Sequence, residues 1–116
     1  MADLPERDQA LVLDMLLAAR DAREFVSGME QDAFLTSTLH QNAVIRSLEV
    51  IGEAAGRISR DSTEKLPEIP WRKVTGMRHR LIHDYVEVDL ELVWEVVQNE
   101  IPALIKTLDS VVPPES

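Results

Sequence analysis

An all-α bundle of four to five helices is the fold this sequence predicts, and three observations carry the prediction. Apolar residues recur three and four positions apart through long segments, which is the spacing of one helix face. Strand-like alternation never survives for more than a few residues. Prolines and glycines stand mostly where helices open and close rather than inside the periodic runs.

The first helix is expected from about Pro5 to Val26. Proline suits an opening turn, where its missing N–H has no helical partner to lose, and Gly28 suits a C-terminal cap. Leu11, Met15, Ala18, Ala22 and Phe25 give this helix an apolar stripe. A short helical piece covers Asp32 to Leu35. The second long helix spans roughly Thr38 to Ser59, with Val44, Leu48, Ile51, Ala55 and Ile58 as its stripe. Gly52, Ala54, Ala55 and Gly56 are small enough to let another helix approach closely. On the same helix Arg46, Glu49, Glu53 and Arg57 stand three or four apart, so each reaches the next and a surface ion-pair ladder is the plain reading.

Residues 60–70 read as a connector that contains Pro67 and Pro70. Pro70 opens a third helix with Val74, Met77, Leu81 and Ile82 on its apolar side. Val86 to Val88 make a turn, and Asp89 is a suitable N-cap for a final helix to about Val111. Leu90, Val93, Trp94, Val97, Ile101, Leu104 and Leu108 form its buried stripe. Pro102 lies inside that helix and removes one backbone hydrogen bond, so a kink is expected there.

With 116 residues the chain is expected to fold as one domain over 1–116, large enough to bury roughly two thirds of its unfolded surface without metals or disulfides. A hydrophobic fraction of 45% excludes a disordered chain. The absence of cysteine removes disulfides and thiolate metal sites and fits a cytoplasmic protein. The acidic start, Met1-Ala2-Asp3-Leu4-Pro5-Glu6, is followed by no long uncharged apolar run, so neither a signal peptide nor a membrane span is expected.

A formal charge of −9 argues against a general nucleic-acid binder, but its distribution matters more than its sum. Between Trp71 and His83 stand four cations (Arg72, Lys73, Arg78, Arg80), two histidines and no acid. From Asp84 to the end there are eight acids and one cation, Lys106. The basic segment holds the run Met77-Arg78-His79-Arg80-Leu81-Ile82-His83-Asp84-Tyr85, an R-x4-H-x-Y pattern. Arginine keeps its charge in proteins, and histidine exchanges protons near neutrality. Such a pair suits phosphodiester cleavage, where anionic charge must be stabilised while protons move. Arg78 and His83 are roughly 140° apart on an ideal helix, so His83 is expected at or past the helix end, its ring free to turn back.

Other readings of these residues are a solvated basic helix face, a structural His83 at the helix end beside Asp84, and a metal pair. His79 and His83 are four apart, and two imidazoles at that spacing can share a metal on one helix face. No third ligand is evident, and Arg78 and Arg80 would repel a cation, so no metal and no cofactor are expected.

The run from Arg78 to Tyr85 resembles the signature of the HEPN ribonucleases, specifically the HepT-like toxins, and the resemblance covers nearly the whole chain. Ala43 to Ala55 looks like that family's second landmark. The resemblance implies a HEPN-type antiparallel bundle, a homodimer with the two motifs facing across a cleft, and metal-independent RNA cleavage by the substrate's own 2′-hydroxyl. It implies His83 as general acid/base and Arg78 as the group that holds the scissile phosphate. His79 then positions or assists, and Arg80 binds a flanking phosphate. It further implies a toxin paired with a minimal nucleotidyltransferase antitoxin that adenylylates Tyr85. The acidic C-terminal third reads as a docking surface for a basic partner. The reading from a different class is a catalytically silent HEPN helical module that binds and regulates a nucleotidyltransferase.

Overall fold

The computed structural model describes residues 1, 3–84 and 87–113, and among these it is all-helical, with one isolated antiparallel bridge, Ile82 to Val88, and no strand. Helix α1 spans Glu6–Phe25. Pro5 takes the cap position with φ −55° and ψ 147°, so the helix begins one residue later than the sequence reading placed it. Glu6 and Asp8 lie in the first turn and Arg23 in the last, each the sign that the helix dipole favours. Gly28, at φ +76°, turns the chain out of the helix in a conformation that side-chain-bearing residues avoid. The buried ridge of α1 is Val12, Met15, Leu16, Ala18, Ala19 and Ala22, while Phe25 stays 39% exposed. The expected stripe through Leu11 and Phe25 therefore marks the edge of the buried face, because apolar residues surround more than half of this helix.

Helix α2 is the short piece Gln31–Leu35, and its Phe34 is fully buried and packs on Trp94, ring centres 5.4 Å apart. Helix α3 spans Thr38–Arg57, opened by Ser37, whose side chain accepts from the His40 N–H. All five residues of its expected stripe, Val44, Leu48, Ile51, Ala55 and Ile58, are buried. The connector contains a helix that the sequence reading missed, α4 at Arg60–Lys65, with Ser59 as its cap. Trp71 Nε1–H closes its far end by donating to the Leu66 and Thr63 carbonyls at 2.9 and 3.1 Å.

Asp8 of α1 is the tertiary partner of that missed helix. Its side chain is 3% exposed and accepts from the Ser59 N–H (3.2 Å), the Ser59 hydroxyl (2.6 Å) and the Ser62 hydroxyl (2.6 Å). The two serine hydroxyls hold its carboxyl below the usual carboxylate range, against the opposing effect of burial. A carboxyl depressed in the folded state adds stability above its unfolded pKa, and that contribution is lost as pH falls through the folded value. The wild-type melting temperature is therefore expected to drop as pH falls below the ordinary carboxylate range, and to drop less in Asp8→Asn. At neutral pH Asp8→Ala should cost on the order of 1–3 kcal/mol, because it strands buried hydroxyl donors. Melting curves from pH 7 down to 3 check both; equal pH dependence in wild type and Asp8→Asn refutes the assignment.

The expected third helix is two short ones, α5 at Trp71–Thr75 and α6 at Met77–Leu81, broken at Gly76. A Cβ on Gly76 would lie 3.1 Å from the Arg72 carbonyl oxygen, so the tight junction favours glycine. Helix α5 crosses α3 at Gly52, where an added Cβ would stand 3.5 Å from the Val74 carbonyl oxygen. Part of the small-residue patch thus receives a helix of the same chain.

The final rod begins as α7 at Leu90–Glu95, with Asp89 Oδ1 accepting the Leu92 N–H at 3.1 Å. It widens into a π-turn at Val96–Glu100 and continues as α8 at Ile101–Val111. Pro102 is the local cause. Ile101 N–H reaches back five residues to the Val96 carbonyl and so does not serve Val97, and Pro102 has no N–H to offer. Arg23 of α1 donates to the Val97 carbonyl at 3.3 Å and to Gln98 Oε1 at 3.1 Å. Next to Pro102, where the sequence reading expected a kink, the helix changes register through a π-turn. Among the described residues no helix is long and apolar enough to cross a membrane.

Candidate active site

Helix α6 is five residues long, too short to persist without tertiary anchors. Met77 and Leu81 are buried and tie it to the core, which leaves Arg78 and His79 exposed on the outside and Arg80 at the flank. The helix ends where Ile82 N–H bonds to the Arg78 carbonyl at 2.9 Å, and His83 follows just past the end, as its spacing from Arg78 required.

A backbone clasp then holds His83 in place. Leu81 O accepts the Asp89 N–H at 2.9 Å, Ile82 pairs with Val88, and the His83 N–H donates to Glu87 O at 2.9 Å. The Asp84 N–H donates to the same carbonyl at 3.3 Å, and Asp84 Oδ1 accepts the Glu87 N–H at 2.8 Å. The motif histidine is thus fixed through its main chain between α6 and α7, while its exposed ring is left for chemistry. Tyr85 and Val86, which bear the expected modification site and the start of the expected turn, lie outside the described residues.

The basic segment is interleaved with carboxylates from distant helices, a feature that local charge counting missed. Arg78 Nε lies 3.9 Å from Glu49 Oε2 of α3, a long contact with the arginine side chain 65% exposed. Glu49 therefore faces α6, and of the expected ladder on α3 the structure forms the Glu53–Arg57 pair, at 3.0 Å. Arg80 is engaged differently. Its Nη1 and Nη2 bond to Oε1 and Oε2 of Glu100 at 3.0 and 2.9 Å, a two-pronged fork, and Lys73 Nζ approaches the same carboxylate at 3.3 Å. The hydrogen bonds from Arg80 lower the Glu100 carboxyl below its ordinary value against the effect of burial, and those to Glu100 raise the Arg80 guanidinium. The fork expected to bind a flanking phosphate is occupied by Glu100.

Arg78, His79 and His83 stand on open surface. The groove of about 920 Å³ between α1 and the end of α8 is lined by Leu13, Leu17, Arg20 and Asp109 among others, and by no residue of the motif. Among the described residues no three His, Cys, Asp or Glu side chains gather closely enough to hold a metal ion. What this arrangement offers chemically is an exposed cation on α6 and an exposed imidazole on the clasp that follows it, suited to charge stabilisation and proton transfer at a phosphodiester.

A family model described as ribonuclease HepT-like matches residues 15–111. The chain is 37% identical over 110 residues to a protein of Methanocaldococcus jannaschii named "Putative RNase MJ0127", covering 94% of this chain and 91% of the other. It is 40% identical over 110 residues to "Putative RNase MJ0125" of the same organism, covering 94% and 95%. It is 42% identical over 91 residues to "Probable ribonuclease HepT" of Thermococcus cleftensis, covering 78% and 83%. No solved structure matches the chain.

Proposed function

As this chain belongs to the HepT-like ribonuclease family, we propose that it is a metal-independent endoribonuclease and the toxin of a two-gene toxin–antitoxin pair. The observation that carries the reading is the exposed Arg78 on α6 with the exposed His83 clasped just past its end. In the proposed reaction the 2′-oxygen bonds to phosphorus as the bond to the 5′-oxygen breaks. One product then ends in a 2′,3′-cyclic phosphate and the other begins with a 5′-hydroxyl. His83 takes the proton from the 2′-hydroxyl, and Arg78 holds the phosphate and stabilises the charge that builds on it. His79, exposed beside Arg78, assists in positioning the substrate.

The leaving 5′-oxygen needs a proton in the same reaction, and a second copy of the chain supplies the second imidazole in a composite cleft. Support for the dimer comes from the outer face of α1 and α3. Among the described residues the exposed large hydrophobic side chains are Leu17, Phe25 and Leu39, and all three lie on these two helices. A groove of about 400 Å³ runs between the helices, lined by Leu17, Ala18, Phe25, Ala43 and Val50 and flanked by Asp14 and Asp21 on α1 and Arg46 on α3. Acids on one helix and a cation on the other suit a two-fold pairing in which each meets its opposite on the second copy. Helix α3 also carries Glu49, which meets Arg78, so the same rod joins this face to the motif.

Tyr85 is the proposed control point, adenylylated by a minimal nucleotidyltransferase antitoxin. The purified protein should cleave RNA in excess EDTA, release ends bearing 2′,3′-cyclic phosphate, and scatter light as a dimer at micromolar concentration. Cleavage that disappears in EDTA and returns with zinc or manganese defeats the metal-independent reading; a strict monomer that cleaves at full rate defeats the composite cleft.

A further inference from the structure

We infer that Glu100 is a positioning residue for the cleavage site, clamping α6 from behind through its two-pronged bond to Arg80. The inference rests on the endoribonuclease reading and extends it to a residue outside the motif. Three observations carry it.

The first is placement. Arg78 and Arg80 are two residues apart, about 200° around an ideal helix, so they point to nearly opposite sides of α6. Arg80 is held at the side away from Arg78, where it steadies the helix that presents Arg78 in front. The second is geometry. Both carboxylate oxygens of Glu100 bind Arg80, at 3.0 and 2.9 Å, and the two side chains are only 26% and 33% exposed. Removing one member of a half-buried pair leaves the other charge without its partner, which makes this contact harder to break than an exposed pair. The buried anchors of helix α6 are Met77 and Leu81, which lie on the face between Arg78 and Arg80, so the fork helps set how the helix is rolled.

The third observation is how Glu100 comes to face α6. It is the last residue of the π-turn, and inside the wider turn each residue is offset from the α-helical register it would otherwise keep. That turn exists because Pro102 has no N–H, and Arg23 of α1 supplies the donor for the Val97 carbonyl. Pro102, the π-turn, Arg23 and Glu100 thus form one device that delivers a carboxylate to Arg80. Lys73 Nζ, at 3.3 Å, adds a second cation to the same carboxylate and joins α5 to the clamp. The opposing idea is that Glu100 stands in for an RNA phosphate and leaves when substrate arrives. Both its oxygens are committed to a fork behind the helix, which favours the clamp.

The test compares wild type, Glu100→Gln, Arg80→Gln and the double variant in kcat and KM on one RNA substrate, in melting temperature, and in amide hydrogen exchange over residues 78–83. The expected result is a fall in kcat of about ten- to a hundredfold in each single variant, the size that a small misplacement of a reacting group produces. KM should stay within about threefold, because Glu100 does not touch substrate. The double variant should be no slower than the slower single one, the signature of two residues acting as a pair. Exchange over 78–83 should quicken while the protein stays folded at the assay temperature. A lower KM with kcat preserved overturns the clamp in favour of a phosphate stand-in. Full activity in Glu100→Gln overturns it as well, as does a loss of kcat that only tracks the fraction unfolded. A wild type that does not cleave RNA defeats the endoribonuclease reading instead. Exchange then decides the clamp, since unchanged exchange over 78–83 overturns it and faster exchange upholds it.

Discussion

Arg78→Ala and His83→Ala are each expected to lower RNA cleavage by about 10²- to 10⁴-fold, the usual cost of losing a positioned acid–base or charge-stabilising group. The structure makes this a test of chemistry rather than of folding. Arg78 is 65% exposed and its contact to Glu49 is long, at 3.9 Å, so removing it sacrifices an exposed ion pair worth about 0–1 kcal/mol. His83 is held by main-chain bonds to Glu87, which an alanine at the same position retains. Both variants should therefore keep the wild-type circular dichroism and nearly its melting temperature. His79→Ala should lose less activity, because its role is positional. Either principal variant cleaving at the wild-type rate removes that residue from the mechanism.

The contrast between these two residues and Arg80 shows where local sequence reading stops. Spacing placed His83 past a helix end, and the chain does end α6 at Leu81. Spacing also gave the inner stripe of α3, since Val44, Leu48, Ile51, Ala55 and Ile58 are all buried. The resemblance implied a flanking phosphate for Arg80, and spacing could not show that Glu100 holds its fork, because that partner lies 20 residues away, beyond any i to i+4 pattern. Glu49 is a related case. Its local neighbours invited a ladder along α3, while its long contact to Arg78 joins the second landmark to the motif.

One short helix escaped for another reason. Helix α4 has six residues and no room for an apolar period, so its signal was the Ser59 cap, together with Asp8 more than fifty residues away. Pro102 was correctly read as a disturbance in the last helix. The form it takes, a π-turn, goes with Arg23 being at hand on α1 to serve the Val97 carbonyl. Local rules locate a conflict in the backbone, and tertiary partners decide how it is resolved.

Tyr85→Phe is expected to separate control from catalysis. Tyr85 lies outside the described residues; in sequence it stands two residues after His83 and directly after Asp84, whose backbone N–H donates to Glu87 O. The main chain at Asp84 is held beside His83 through their shared acceptor, Glu87 O, and Tyr85 is the next residue in sequence, which is the ground for proposing it as the modified residue. A nucleotidyltransferase partner with ATP would form a bond from the tyrosine oxygen to the α-phosphorus and release pyrophosphate, the phenolic proton passing to solvent. On the proposed reading the adduct adds a phosphate charge and a nucleoside two residues after His83 in the chain, and would compete with RNA both electrostatically and by bulk. Incubation with the cognate partner and ATP should therefore add one adenylate to the peptide containing Tyr85 and bring cleavage to background. The phenylalanine variant retains the ring and lacks the acceptor oxygen, so it should cleave RNA at the wild-type rate and resist silencing. Mass spectrometry of the peptide and cleavage before and after the partner are the two measurements. A Phe variant silenced as efficiently as wild type moves the switch to another residue. A Phe variant inactive before any partner is added gives the hydroxyl a direct role instead, such as a hydrogen bond that orients the His83 ring.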